Sequence, residues 1–153
     1  MIGLDGCFLK RYYGGQLLSA VGQDANNQFY VIAYAVVDSE TKDNWKWFLA
    51  LLEQALGSQE LYGWNFISDQ QKGLESALNG VMPHAHHRNC VLHIWKNFIK
   101  SFKDRELRGV VWEIAKCTTV GEFNNRMTKF KEKHVMAWSY LNNLDPSSWV
   151  KAY

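Results

Sequence analysis

Cysteine is scarce in this chain. Three residues in 153, Cys7, Cys90 and Cys117, stand at wide spacing. An odd, scattered set of this kind excludes a disulfide framework and fits a reducing compartment. No apolar run approaches the roughly 20 residues that a membrane helix needs, so no membrane partner is expected. The opening "MIGLDGCFLK" brings glycine and an acid at once and lacks a signal-peptide pattern. Internal repeats and low-complexity segments are missing as well.

What is present is an ordinary globular composition with many large rings. Hydrophobic residues make up 47%, charged residues 21% and aromatic residues 14%, with seven tryptophans. A chain of this length fits one domain and can bury a core. Net charge is only +2, but it is unevenly spread. Residues 1–83 carry five Lys/Arg against nine Asp/Glu, whereas residues 84–134 carry eleven against five. The basic second part hints at a polyanion partner; solvated helix faces give the same pattern.

The hydrophobic period changes along the chain. "GLDGCFLKRYY" and "QLLSAVGQ" flank Gly14-Gly15, a tight hairpin signal. "QFYVIAYAVVD" is apolar nearly throughout, as in a strand covered on both faces. These segments predict a three-stranded antiparallel meander. Residues 42–57 then set Trp45, Phe48, Leu49, Leu52 and Leu56 on one helical face, with Gly57 as the stop. Residues 62–69 read as a short strand ending on Asp69, and residues 71–81 as a helix closed by Gly80 and Pro83. "HAHHRNC" fits a brief fifth strand. From Val91 onward the pattern is helical, with Thr118 or Thr119 as the cap of the helix at "VGEFNNRMTKFKEKH" and Glu122 at capping-box distance from Thr119. The order, α/β with three antiparallel strands, then α-β-α, then an all-helical insertion, matches a ribonuclease-H-like mixed sheet. It predicts a core over residues 1–103 and a helical insertion of the same domain over 104–153.

In that arrangement Asp5 lies on the first strand and Asp69 ends the fourth, which runs parallel beside the first. Two carboxylates brought together repel unless a cation lies between them, and magnesium favours such oxygen donors. Each acid also has a plainer reading. Asp5-Gly6 between apolar runs is a hairpin signal, and Ser68 or Asp69 suits a helix cap.

The stretch "HAHHRNCVLHIWKNF" holds four of the five histidines and Cys90. Cys90 and His93 are spaced by one helical turn. Two ligands make half of a tetrahedral zinc site, and His84, His86 and His87 complete it only if the segment folds back, so zinc is not expected. Arg88, Lys96, Lys100 and Lys103 are candidate phosphate contacts, the last three at spacing that shares a helical face.

"GLDGCFLK", "GGQLLSAVGQDANNQFYVIAYAVVDSETKDNWKWFL", "GWNFISDQQKGL", "PHAHHRNCVLHIWKNF" and "LDPSSWVKAY" closely resemble plant Mutator-like element (MULE) transposases. The resemblance runs almost end to end. It implies DNA strand cleavage and transfer by a DDE triad with magnesium or manganese, transposon-end DNA as partner and a nuclear location. Asp5 and Asp69 match the first two acids, and Cys90 and His93 match the family's Cys-x-x-His signature, for which packing or hydrogen bonding near the metal cleft is the favoured role. The third acid, a glutamate, falls beyond Tyr153 by the same resemblance; Glu113, Glu122 and Glu132 are poor substitutes. The chain therefore reads as a truncated transposase domain, inactive by itself. The alternative is a domesticated or remnant domain that binds DNA or a protein without chemistry.

Overall fold

A computed structural model describes residues 1–10, 12, 14–57 and 63–153. The described residues form an α/β structure with a five-stranded mixed sheet and six helices. They divide into two compact units, Met1–His87 and Arg88–Tyr153.

In the first unit, β1 (Ile2–Phe8), β2 (Gln16–Gln23) and β3 (Phe29–Val37) pair antiparallel in turn. Helix α1 (Lys42–Leu56) follows, then β4 (Asn65–Ser68), helix α2 (Lys72–Val81) and β5 (His86–Asn89). Three antiparallel strands and then α-β-α describe the chain order but not the sheet. Across the sheet the order is β3-β2-β1-β4-β5. The correction has a physical cause. A parallel partner needs a long crossover, and the crossover through α1 sets β4 down on the side of β1 that β2 leaves free.

Other expectations change locally. Of the two readings of Asp5-Gly6, strand and turn, the strand is the one observed, since both residues lie within β1. That strand ends at Phe8, and the reversal runs through Gly14 and Gly15, both at positive φ. Gly15 also lies so close to β3 that a Cβ there would meet the Val37 carbonyl oxygen at 2.8 Å. The strand reading of residues 11 and 13, and of Tyr62, lies outside the described residues. The β3 strand is not covered on both faces; as the sheet edge, it leaves Phe29, Val31, Tyr34 and Val36 exposed. Gly80 does not stop α2, which runs through Val81.

The core of this unit lies between the sheet and two helices. Ile2, Leu4, Leu18, Ala20 and Phe66 from the strands meet Trp45, Phe48, Leu49 and Leu52 of α1 and Leu74, Ala77 and Leu78 of α2. Thr41 caps α1 by accepting from the Asn44 amide, and Gly57 at positive φ ends it.

The second unit is helical: α3 (Val91–Phe102), α4 (Leu107–Ala115), α5 (Val120–Lys133) and α6 (Val135–Asn142), with a 3-10 turn at Pro146–Ser148. Its own core gathers Ile94, Phe98, Val111, Ile114, Phe123, Phe130, Leu141 and Val150. Thr119 caps α5, and Glu122 accepts from the Thr118 amide.

Candidate functional site

The parallel ladder between β1 and β4 pairs Ile2 with Phe66, Gly3 with Ile67 and Leu4 with Ser68. The next residue along β1 is Asp5, and the residue just past the end of β4 is Asp69. Parallel neighbours in register stand about 4.8 Å apart, so the two acids leave the sheet at one level. Ile2 and Leu4 are buried, whereas Asp5 is exposed and Asp69 half-buried, as alternation along a strand requires.

Asp69 is held from several sides. Its Oδ1 accepts from the Gln71 amide at 3.1 Å. The helix cap expected of Ser68 or Asp69 falls instead to Gln71, whose side chain accepts from the Leu74 amide. Buried Ser68 donates to the Asp69 carbonyl oxygen at 2.8 Å. A serine hydroxyl has one hydrogen to give, so the 2.8 Å contact with His87 Nε2 is donated by the imidazole. Neutral His87 thus carries its proton on Nε2, and a short chain from β5 through Ser68 fixes the backbone at the second acid.

Burial lowers the His87 pKa, while the charges of Glu75 and Asp69 pull it up. The unfolded chain then takes up the proton at higher pH than the fold. Stability is complete above the ordinary histidine value of about 6.5 and declines as pH falls through it toward the lowered folded value. Metal-free protein should lose more urea stability between about pH 7.5 and about pH 5.5 than His87→Gln does. Equal losses would remove His87 as the cause.

Sequence reasoning missed Glu40. Its carboxylate Oε1 accepts from Trp45 Nε1 at 3.0 Å. Its amide donates to Gln16 Oε1, and its carbonyl oxygen accepts from Gln71 Nε2 at 3.3 Å. A Cβ at Gly6 would lie 2.7–2.9 Å from the carboxylate carbon and both its oxygens. Burial raises the Glu40 pKa, the Trp45 hydrogen bond opposes this, and the charges of Asp69 and Asp5 add to the rise. Glu40 is therefore within electrostatic reach of both aspartates. The pairing spans residues 6 and 40, so no local pattern announces it.

Among the described residues, the ion pairs are those of Arg126 with Glu113 and Glu122. None neutralises Asp5, Glu40 or Asp69. Hard carboxylate oxygens without a cationic partner are the donor set that magnesium or manganese takes. No three His, Cys, Asp or Glu side chains among the described residues form a ready metal cage. Magnesium does not demand one, because it keeps several waters and binds through one or two carboxylates.

The remaining candidates lie in the second unit. Cys90 stands at the N-cap of α3 without a side-chain capping bond, and buried His93 Nδ1 has no hydrogen-bond partner among the described residues. Lys96 and Lys100 are exposed on the side of α3 away from buried Ile94, Trp95 and Phe98, whereas Lys103, also exposed, is the left-handed residue that ends the helix and does not continue that helical face. Arg88, in contrast, donates to the carbonyl oxygens of Val150 and Tyr153. Cavities of about 400 Å³ beside Leu107 and Phe130 and about 180 Å³ between β3 and α1 do not touch Asp5, Glu40 or Asp69.

No helix among the described residues is long and apolar enough to cross a membrane. Comparison with curated proteins finds no match. Residues 1–97, more than half of the chain, match the MULE transposase domain, and the chain belongs to that family.

Proposed function

We propose that this domain is the ribonuclease-H-like catalytic part of a MULE transposase, acting on DNA with Asp5 and Asp69 as carboxylate ligands of a magnesium or manganese ion. The register of β1 against β4 supports the reading, because its last pair, Leu4 with Ser68, stands one residue before each acid. When bound, such ions activate an attacking oxygen and stabilise a leaving one in phosphodiester chemistry. The chain's own part is to fix the carboxylates and to hold DNA. Ser68 and His87 fix the backbone at Asp69. Lys96, Lys100 and Lys103 offer positive charge to phosphates.

In this reading the mechanism is of the DDE type and needs a third carboxylate. Within residues 1–153, Glu113 and Glu122 are paired with Arg126, which argues against either in that role. Purified 1–153 is therefore expected to be inert on supercoiled DNA with manganese. A longer polypeptide carrying the family's downstream glutamate is expected to nick it. Failure of the longer form under the same conditions would refute the catalytic reading. Nicking by 1–153 that Asp5→Asn abolishes would show that the third acid lies within these residues.

DNA binding gives a further expected result. Each phosphate contact contributes about 0.9 to the slope of log affinity against log salt. Replacing Lys96, Lys100 and Lys103 by alanine should make that slope shallower by about 2–3 and weaken binding on any sequence. Fluorescence anisotropy with duplexes of unrelated sequence measures both. An unchanged slope would remove these lysines from the interface.

A further inference from the structure

The Asp5–Asp69 pair leaves unexplained a third carboxylate that the fold holds in place at some cost. Glu40 precedes α1, and three elements fix it: Gln16 from β2, Trp45 from α1 and Gln71 at the start of α2. A glutamate free to move would swing its charge into water. Here the Trp45 hydrogen bond keeps the carboxylate half-buried, over the backbone of Gly6. The next residue back is Asp5. The β4 ladder stops at Leu4–Ser68, whereas β1 continues to Phe8 against β2. Beside β1 past Leu4, then, Asp69 begins where the strand ends. Glu40 approaches from the core face, on which Gly6 follows Ile2 and Leu4, and Asp5 leaves from the other.

We infer that Glu40 is a positioning residue for the divalent ion held by Asp5 and Asp69, its carboxylate accepting hydrogen bonds from the ion's water shell. The inference rests on the proposed metal role of the two aspartates. No three acid, His or Cys side chains among the described residues form a metal cage, and a strongly hydrated ion brings its own donors to reach a carboxylate outside its ligand set. Outer partners of this kind orient the shell and tune affinity. The position also explains Gly6. Any side chain there would occupy the space of the Glu40 carboxylate.

Manganese titration of the full 153-residue chain, read by the electron paramagnetic resonance of the free ion, tests this without any catalytic assay. Glu40→Gln keeps the shape and the acceptor for Trp45 Nε1 but removes the charge, and should weaken manganese about 10–100-fold. Gly6→Ala, which displaces the carboxylate and leaves every charge in place, should weaken it in the same sense. Circular dichroism establishes that both variants fold. Spin-echo counting of bound water should give the same number in wild type and Glu40→Gln. One additional water in the variant would make Glu40 a direct ligand and overturn its role through water. Affinity within about twofold of wild type in both variants, with Asp5→Asn abolishing binding, would overturn the Glu40 role and leave the aspartate site standing. Wild-type protein that binds no manganese would refute the aspartate site and the Glu40 role together.

Discussion

Trp45→Ala should cost the first unit about 3–5 kcal/mol, the usual loss when a buried large ring is truncated. Trp45 is fully buried beneath the sheet and meets Phe48 edge-on at 5.8 Å. Its cavity could not collapse easily, because Leu49 and Leu52 of the same helix and Leu4 and Leu18 of the sheet are themselves fixed in the core. Trp45→Phe separates the ring's two roles. It retains most of the apolar volume and removes only the Nε1 donor to Glu40, so its cost should be clearly smaller. Hydrogen exchange at β1 and β4 amides reads the stability of this unit directly, which global fluorescence from seven tryptophans would blur. Exchange free energies for Trp45→Ala within about 1 kcal/mol of wild type, the level of an ordinary substitution, would show that the ring does not anchor the core.

Elements with strong local signals were legible in the sequence. The face of Trp45, Phe48, Leu49 and Leu52 predicts α1, and the structure buries those four residues. Thr119 with Glu122 predicts the start of α5; Thr119 accepts from the Glu122 amide as expected, while the Glu122 carboxylate accepts from the Thr118 amide, one residue before the cap. The parallel neighbour of β1 is likewise as expected. What was misread depended on neighbours far along the chain. The apolar run of β3 is that of a covered strand, but sheet order makes it an edge. Asp5-Gly6 is correctly read as strand although it has the composition of a turn, and seven consecutive pairs with β2 keep it extended.

The site divides in the same way. Asp5 and Asp69 could be picked out because each sits at a strand position whose neighbour follows from the element order. Glu40 could not, since its meaning lies in Gly6, Gln16 and Gln71, which no spacing rule connects to it. Ser68 and His87 belong together only once β4 and β5 are in one sheet. Arg88 has a role that its charge did not announce. Its charge suggested a phosphate contact, and the structure shows it donating to the carbonyl oxygens of Val150 and Tyr153.

Asp69→Asn should separate function from stability. Asparagine keeps the oxygen that accepts from the Gln71 amide, so the turn into α2 survives. What disappears is one negative charge near Glu40 and Asp5, and no described cation balances it. In the metal-free protein that charge is repulsive, and its removal should leave urea stability unchanged or raise it. In the proposed mechanism the same change removes a metal ligand. Phosphoryl transfer depends on positioned charge, and loss of one stabilising group already costs about 10²–10³ in rate, so strand cleavage should fall by at least that factor. A variant that merely unfolded would lose both properties. A variant that kept cleavage within about tenfold of wild type, with unchanged stability, would exclude Asp69 from the reacting site, because that loss is smaller than a single stabilising group supplies.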